Sequence, residues 1–144
     1  MTAPRFLLQM IGDTDTALRV LLDRHLAGTA LTYQSWMVLN STALSGGRIE
    51  RARLEAIALQ GLKIDLPELS YVVGHLCANG LLESDATTVR LTEAGAEEHD
   101  RVRAATDEAT AAVLHDLPDD DVSTTLRTLS KIAERTNLLL DQVK

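Results

Sequence analysis

The sequence predicts a mostly helical protein that contains one short β-hairpin. Three observations carry this prediction. Leu and Ala, both good helix formers, supply most of the apolar residues, whereas Phe6, Tyr33, Trp36 and Tyr71 are the only aromatic residues. Hydrophobic residues make up 45% of the chain, enough to bury a sizeable core. Two short runs, 81–84 and 88–91, flank a polar turn and predict the hairpin.

Two helices are predicted at the start of the chain from the spacing of apolar residues. The first covers residues 6–26, and we expect an interruption near Gly12–Asp13, where Asp13 or Thr14 could cap the longer part. Thr32 can cap the second helix, which continues to about Leu44 and ends at the glycines that follow.

The middle of the chain predicts a short strand and two further helices before the hairpin. The strand covers 48–50, and the third helix follows it with Leu54, Ile57, Ala58 and Leu62 on its inner face. The fourth helix covers 67–79: Pro67 suits its first turn, and Gly80 can end it in a left-handed conformation.

Two long helices are predicted after the hairpin. Thr92 caps the first, which continues to about Leu117, and residues 118–121 open the second. A heptad seam follows in the last helix, at Val122, Leu126, Leu129, Ala133, Thr136, Leu140 and Val143. A second copy of the chain is the simplest partner for such a seam, so we expect a homodimer. Its predicted interface comprises Leu7, Ile11, Leu126, Leu129, Ala133, Leu140 and Val143.

The charge of the chain is unevenly distributed. The net charge is −7, and residues 91–144 hold six basic and twelve acidic residues, whereas residues 1–47 are balanced. The middle of the chain is nearly neutral but contains a local basic cluster: Arg48, Arg51, Arg53 and Lys63.

Several classes of protein are excluded by what the sequence lacks. Cys77 is the only cysteine, so neither an intrachain disulfide nor a Cys-based zinc cage can form. His25 and His99 have no second ligand at metal-binding spacing, and we expect no metal or other cofactor. No segment approaches the roughly 20 apolar residues of a membrane-spanning helix, and no motif of nucleophilic catalysis is present. We therefore expect a soluble, cytoplasmic protein that is not an enzyme.

Three stretches resemble the MarR family of bacterial transcriptional regulators. They are "LTYQSWMVL" at 31–39, "ALQGLKIDLPELSYVVGHLCANGLLE" at 58–83 and "VRLTEAGAE" at 89–97, the last being similar to the family's "LT..G" exit from the wing. The resemblance covers nearly the whole chain. It implies a mostly α, α+β winged-helix fold, with a winged helix-turn-helix DNA-binding lobe at 32–92 and a helical dimerisation region formed by 1–31 and 93–144.

The resemblance also implies a function. The homodimer would bind a palindromic site on double-stranded DNA, most simply as a repressor, and a small aromatic effector would weaken that binding. In a helix-turn-helix the second helix lies in the major groove, which makes the outward positions of helix 67–79 the candidate base readers. These are Pro67, Glu68, Ser70, Tyr71 and His75, with Gly74 between them.

The wing and the basic cluster complete the predicted DNA contacts. Thr87 and Thr88 lie at the wing tip, and Arg90 lies at its base, where it could instead pair with Glu83 or Asp85. The cluster of Arg48, Arg51, Arg53 and Lys63 would contact phosphates; alternatively, it is a solvated surface paired with Glu50 and Glu55.

The sequence departs from the family at the positions that matter most for DNA. Tyr71 stands where the family commonly has a basic residue, and the wing lacks an Asp-Arg-Arg-like tip. Few cations allow few phosphate contacts. The alternative function is therefore a winged-helix dimer that has lost DNA binding and serves as a protein-interaction module.

Four residues are candidates for binding an effector. His25, Tyr33, Trp36 and His99 lie on helices near the expected junction between the lobe and the dimerisation region. The alternative for each is ordinary packing in the core. Cys77 has no adjacent Lys or Arg in sequence to activate it, so we expect it to pack as a small apolar residue.

Overall fold

The computed structural model describes residues 3–142, and their side chains from residue 5 onward. The helices are α1 (Ala3–Leu26), α2 (Tyr33–Leu44), α3 (Arg51–Ile57, prolonged by a π-helical turn, Ala58–Leu62), α4 (Leu66–Ala78), α5 (Glu93–Val113) and α6 (Asp119–Gln142). The strands are β1 (Arg48–Glu50), β2 (Leu82–Ser84) and β3 (Thr88–Leu91). The chain divides into two compact units, Met1–Asp107 and Glu108–Lys144. The mostly helical fold with a small wing is thus confirmed.

The three strands form one antiparallel sheet in the order β1-β3-β2. The predicted hairpin is β2 and β3, with Glu83 opposite Arg90, and the predicted short strand β1 pairs with the other edge of β3. The backbone N–H of Arg51 donates to Thr87 O at 2.9 Å, which joins the start of α3 to the wing tip. The wing is therefore bound to the lobe at both ends of β3 rather than projecting alone.

The core of the first unit lies where α2, α3, α4 and β3 meet. Its largest fully buried side chains include Leu39, Leu54, Leu69, Leu76 and Val89. The four residues of α4 that were predicted to point inward, Leu69, Val72, Val73 and Leu76, are all buried. Their burial turns the opposite face of α4 to the surface.

Side-chain caps fix the starts of three helices, two of them, at Thr32 and Thr92, as the sequence predicts. Thr32 and Ser35 form a reciprocal capping box at α2. Asp65 accepts a hydrogen bond from the Glu68 N–H at 2.8 Å at the start of α4. Thr92 accepts from the Gly95 N–H at 2.9 Å and donates to Gly80 O at 2.6 Å, so it joins α5 to the end of α4.

Two predicted helix limits were wrong. Helix α1 continues through Gly12 without a break, because a single glycine costs only about 1 kcal/mol in a helix interior. Helix α5 ends at Val113 rather than near Leu117. The residues after it turn, and Asp116 adopts a left-handed φ of 62°, which the helix cannot continue through.

Helix α6 belongs to the second unit and has no buried residue among those described. Its apolar side chains, including Leu126, Leu129 and Leu140, are exposed, as is Ala133. The predicted interface residue Val143 lies outside the described residues. Between residues 3 and 142, no helix combines the length and the apolar character needed to cross a bilayer.

Candidate nucleic-acid interface

The outward face of α4 presents every residue that was predicted to read bases. Pro67, Glu68, Ser70, Tyr71 and His75 are all exposed, Tyr71 by 75%. Tyr71 and His75 are one helical turn apart and stack with their ring centroids 6.5 Å apart and their planes at 13°. This face therefore offers an aromatic pair with polar tips rather than a row of cations.

Part of the basic cluster lies beside the wing tip. Arg48 and Arg51 line a depression of about 890 Å³, together with Thr87 and Thr88 of the wing. The Arg51 guanidinium donates a hydrogen bond to Ser84 Oγ. Glu50 and Glu55 line the same depression, so its charge is mixed. Arg53 and Lys63 are exposed but do not line it, and Lys63 Nζ donates to Gln60 O at 2.6 Å.

The wing base holds the ion pair that was considered as the alternative for Arg90. Its guanidinium lies 3.5 Å from the Glu83 carboxylate on the paired strand. Both side chains are about half exposed or more, so the pair is weak and salt-sensitive. Arg90 thus remains at the surface, and the negative charge of Glu83 partly neutralises its positive charge.

A single carboxylate closes the wing turn. Asp85 Oδ1 accepts the backbone N–H groups of Thr87 and Thr88, each at 2.8 Å, and the Thr87 hydroxyl at 3.1 Å. These hydrogen bonds, led by the Thr87 N–H, hold the pKa of Asp85 below its ordinary value.

Thr88 is only 7% exposed although it lines the depression at the wing tip, whereas Thr87 is exposed, so Thr87 presents the more accessible threonine hydroxyl there. The predicted contact of Thr88 with DNA stays a prediction.

Cys77 is partly buried on the side of α4. Burial raises the pKa of its thiol; the neighbouring Arg51 guanidinium acts in the opposite direction, and Glu83 adds to the increase. A raised pKa leaves little thiolate near neutral pH, which agrees with a packing residue.

Trp36 and His99 lie together between α2 and α5. Their rings stack at 5.2 Å and 18°, both residues are buried, and His99 Nε2 lies 2.9 Å from Asn40 Oδ1. Among residues 3–142, no cluster of His, Cys, Asp and Glu could hold a metal ion. Trp36 and His99 are thus packed and hydrogen-bonded, as the core alternative requires.

The other two candidate effector residues lie elsewhere. His25 borders a depression of about 590 Å³ with Asn79, Leu81 and Glu98. Tyr33 lies under the Arg19 guanidinium, which is 4.1 Å from the centre of its ring. His25 and Tyr33 therefore border different depressions.

Sequence reasoning missed Arg19 and Asn40. Asn40 is found only through its contact with His99, 59 residues away. Arg19 lines a groove of about 460 Å³ between α1, the start of α2 and α4, here called the α1–α4 groove. Its lining residues are Arg19, Thr32, Tyr33, Gln34, Ser35, Glu68, Tyr71, Val72 and His75. No local pattern could have indicated either contact, because both depend on tertiary packing.

Comparison with known proteins gives one family and a consistent fold. A family described as a helix-turn-helix family matches residues 23–138. No curated protein matches the sequence.

Solved structures of transcriptional regulators share the fold. The organohalide-sensing regulator RdhR-CbdbA1625, in its ligand-free form, has a TM-score of 0.79 at 14% identity, over 96% of this chain and 84% of that one. A MarR-family regulator from Rhodococcus sp. RHA1 has a TM-score of 0.73 at 19% identity, over 92% and 96% of the two chains. A mutant MarR from E. coli in complex with operator DNA has a TM-score of 0.72 at 22% identity, over 88% and 92%. The resemblance to the MarR family is thus confirmed at the level of the fold.

Proposed function

The chain belongs to a helix-turn-helix family, and from that premise we propose that it is a DNA-binding transcriptional regulator. The observation that carries the proposal is the outward face of α4. The buried residues of α4, Leu69, Val72, Val73 and Leu76, form the side of the helix that packs against the core. On the other side Ser70, Tyr71 and His75 are exposed and can contact DNA. In this architecture such a helix enters the major groove with the wing beside it. A regulator of this kind acts on chromosomal DNA, so we infer a cytoplasmic location.

Phosphate contacts would come from the basic cluster around the wing. Arg48 and Arg51 border the depression at the wing tip, and Arg53 is exposed on the same helix as Arg51. Each neutralised phosphate adds to affinity through counterion release and makes binding depend on salt. With so few cations, we expect a shallow salt dependence compared with a strongly basic DNA-binding protein.

We further propose that the regulator is a homodimer that binds a palindromic site and acts as a repressor. Helix α6 exposes a run of leucines, and α1 exposes Phe6, Leu7, Leu8 and Met10 near its start. Several exposed large apolar residues on one helix are a feature of interaction sites, and each of these two helices has them. Two lobes related by a two-fold axis match two half-sites related by the same symmetry.

A small aromatic effector is the proposed regulator of DNA binding. One structure with this fold, RdhR-CbdbA1625, is of a form bound to 2,4-dichlorophenol. In this chain the buried Trp36–His99 pair, with Asn40, lies between α2 of the lobe and α5. A ligand that bound one arrangement of these helices better than another would shift the balance between DNA-competent and incompetent states.

The alternative, a protein-interaction module without DNA binding, has support of its own. Glu50 and Glu55 offset the arginines at the wing tip, Glu83 pairs with Arg90, and Glu68 lies on α4 itself. A surface with balanced charge attracts a polyanion less than a basic one does. Binding to random duplex DNA separates the two functions.

The decisive measurement is fluorescence anisotropy of a labelled random duplex over a range of salt concentrations. Non-specific binding should be strongest at low salt, so we expect a clear titration at about 50 mM salt and weaker binding at about 200 mM. A protein that leaves the duplex unbound at the lower concentration is the interaction module instead.

Two sets of variants test the roles of individual residues. The pair Arg51→Ala and Arg53→Ala should weaken binding to every sequence and reduce the salt slope by about 1 for each phosphate that is no longer neutralised. The matched control, Arg24→Ala with Arg103→Ala, removes two exposed arginines outside the proposed interface and should leave both quantities unchanged. Tyr71→Ala should instead reduce the preference for the chain's own site over random duplex.

A further inference from the structure

The α1–α4 groove brings a cation to the recognition helix from a distant part of the chain. Helix α4 carries no Lys or Arg, and His75 is its only residue that can become cationic. Arg19, on α1, lines the same groove as Glu68, Tyr71 and His75. The fold thereby supplies a positive charge beside the helix that lacks one.

The guanidinium of Arg19 is held in place yet remains available. It lies 4.1 Å from the centre of the Tyr33 ring, a cation–π contact that restricts its rotamers. Arg19 is exposed, and among residues 3–142 no carboxylate lies within ion-pair distance of it. A cation–π contact does not use the N–H groups of the guanidinium in an ion pair, so they can donate hydrogen bonds to a ligand.

These features suit a phosphodiester. A planar guanidinium donates two parallel hydrogen bonds to phosphate oxygens, which makes Arg the preferred residue for such contacts. Tyr71 and His75 line the same groove, and a phenol hydroxyl and an imidazole N–H are both hydrogen-bond donors. Glu68 also lines the groove, and its negative charge opposes an anion there.

We propose that the α1–α4 groove is a seat for a DNA backbone phosphate, with Arg19 as its anchor. The proposal rests on the proposed function, since it requires α4 to lie in the major groove. It makes Arg19 a residue that positions the duplex against Tyr71 and His75 without reading sequence.

The test is the salt dependence of duplex binding by Arg19→Gln, measured with the full chain by fluorescence anisotropy. Removal of one phosphate-binding cation should reduce the slope of log affinity against log salt by about 0.9 per bound protomer. At moderate salt the affinity should fall by roughly threefold to tenfold for random and specific duplex alike. Arg24→Gln is the control, because Arg24 is exposed on the same helix but does not line the groove.

Variants of the groove neighbours sharpen the test. Tyr33→Phe keeps the ring and should bind DNA as the wild type does, whereas Tyr33→Leu should lower affinity while leaving the salt slope unchanged. Glu68→Gln should strengthen binding, because it removes a negative charge from the groove.

Each outcome decides something. If the wild type binds duplex and Arg19→Gln has the same slope and affinity, or falls no further than Arg24→Gln, the phosphate seat is refuted and the proposed function stands. If the wild type binds no duplex at low salt, the proposed function fails and the seat fails with it. Circular dichroism of each variant shows whether its fold is intact.

Discussion

At the scale of single residues, Asp85 determines the shape of the wing tip. One of its carboxylate oxygens accepts three hydrogen bonds from Thr87 and Thr88, and its pKa is lowered. Because the pKa is lower in the folded state, the ionised carboxylate favours the folded turn above the ordinary Asp pKa of about 3.9. That contribution disappears as the pH falls through the lowered folded value.

We therefore expect acid to open the wing tip. The amide protons of Thr87 and Thr88 should exchange faster with solvent as the pH drops below about 4, after correction for the intrinsic rate. Asp85→Ala should show the fast exchange already at neutral pH and lose the pH dependence. Equal protection in both proteins at neutral pH would show that the backbone alone holds the turn. Amide exchange followed by NMR makes the measurement.

Residues also show what local sequence can predict. Thr32 and Thr92 act as helix caps as predicted, because a cap depends on a side chain and an N–H group three residues away. Arg19 could not be predicted, since its contact with Tyr33 depends on how α1 packs near α2.

At the scale of elements, Gly95 allows α5 to start where it does. It is buried in the first turn of α5, and a Cβ built there would collide with the backbone carbonyl of Leu81. The Thr92 N–H donates to the same carbonyl, at 3.2 Å. The "LT..G" stretch is thus explained physically: the Thr joins the wing to the helix, and the Gly lets the helix lie against the chain that enters β2.

Gly95→Ala should therefore destabilise the protein, although Ala favours helices. Backbone cannot yield as a flexible side chain does, and we expect a loss of about 1–3 kcal/mol or more in the free energy of unfolding. Gly74→Ala is the matched control, since Gly74 is exposed in α4 with open space around it, and it should gain up to about 1 kcal/mol. Chemical denaturation measures both. A stabilised Gly95→Ala variant would show that α5 shifts at little cost.

Helices and strands in which apolar residues recur at regular spacing were predicted correctly, whereas the positions at which helices begin and end were predicted less accurately. The inward face of α4 and the pairing of the hairpin follow from local patterns, and both are confirmed. The continuity of α1 through Gly12 and the early end of α5 were missed, because they depend on small differences between competing local conformations.

At the scale of the whole molecule, the exposed apolar residues of α6 lead us to expect a homodimer. Leu126 and Leu129 of α6 are exposed in the chain, and each would contribute about 1.5–3 kcal/mol if it were fully buried at an interface. Leu126→Glu with Leu129→Glu should therefore convert a dimer into monomers.

Light scattering coupled to size-exclusion chromatography tests this expectation. The wild type should elute with twice the mass of the chain, and its melting temperature should rise with protein concentration. Leu59→Glu is the control, because Leu59 is an equally apolar exposed residue outside α1 and α6. A wild type that is monomeric at every concentration, or a double variant that stays dimeric, contradicts the predicted seam.

Function at this scale was only partly accessible from sequence. Order of elements and local motifs led to the helix-turn-helix assignment, which the family match bears out. The positions of charges followed only in part: the pairing of Arg90 with Glu83 was one of the predicted alternatives, whereas the cation that Arg19 places beside α4 was not predicted.

Because Trp36 stacks on His99, the intrinsic fluorescence of the protein can report on this contact. Trp36 is the only tryptophan in the chain, so all indole emission comes from the junction between α2 and α5. Any rearrangement that separates the two rings changes the emission maximum or the quantum yield of Trp36 fluorescence. Trp36 fluorescence can therefore be followed while the unlabelled protein is titrated with duplex DNA, or with a small aromatic compound whose absorbance does not overlap. The change in fluorescence reports on the packing of α2 against α5 without an added dye.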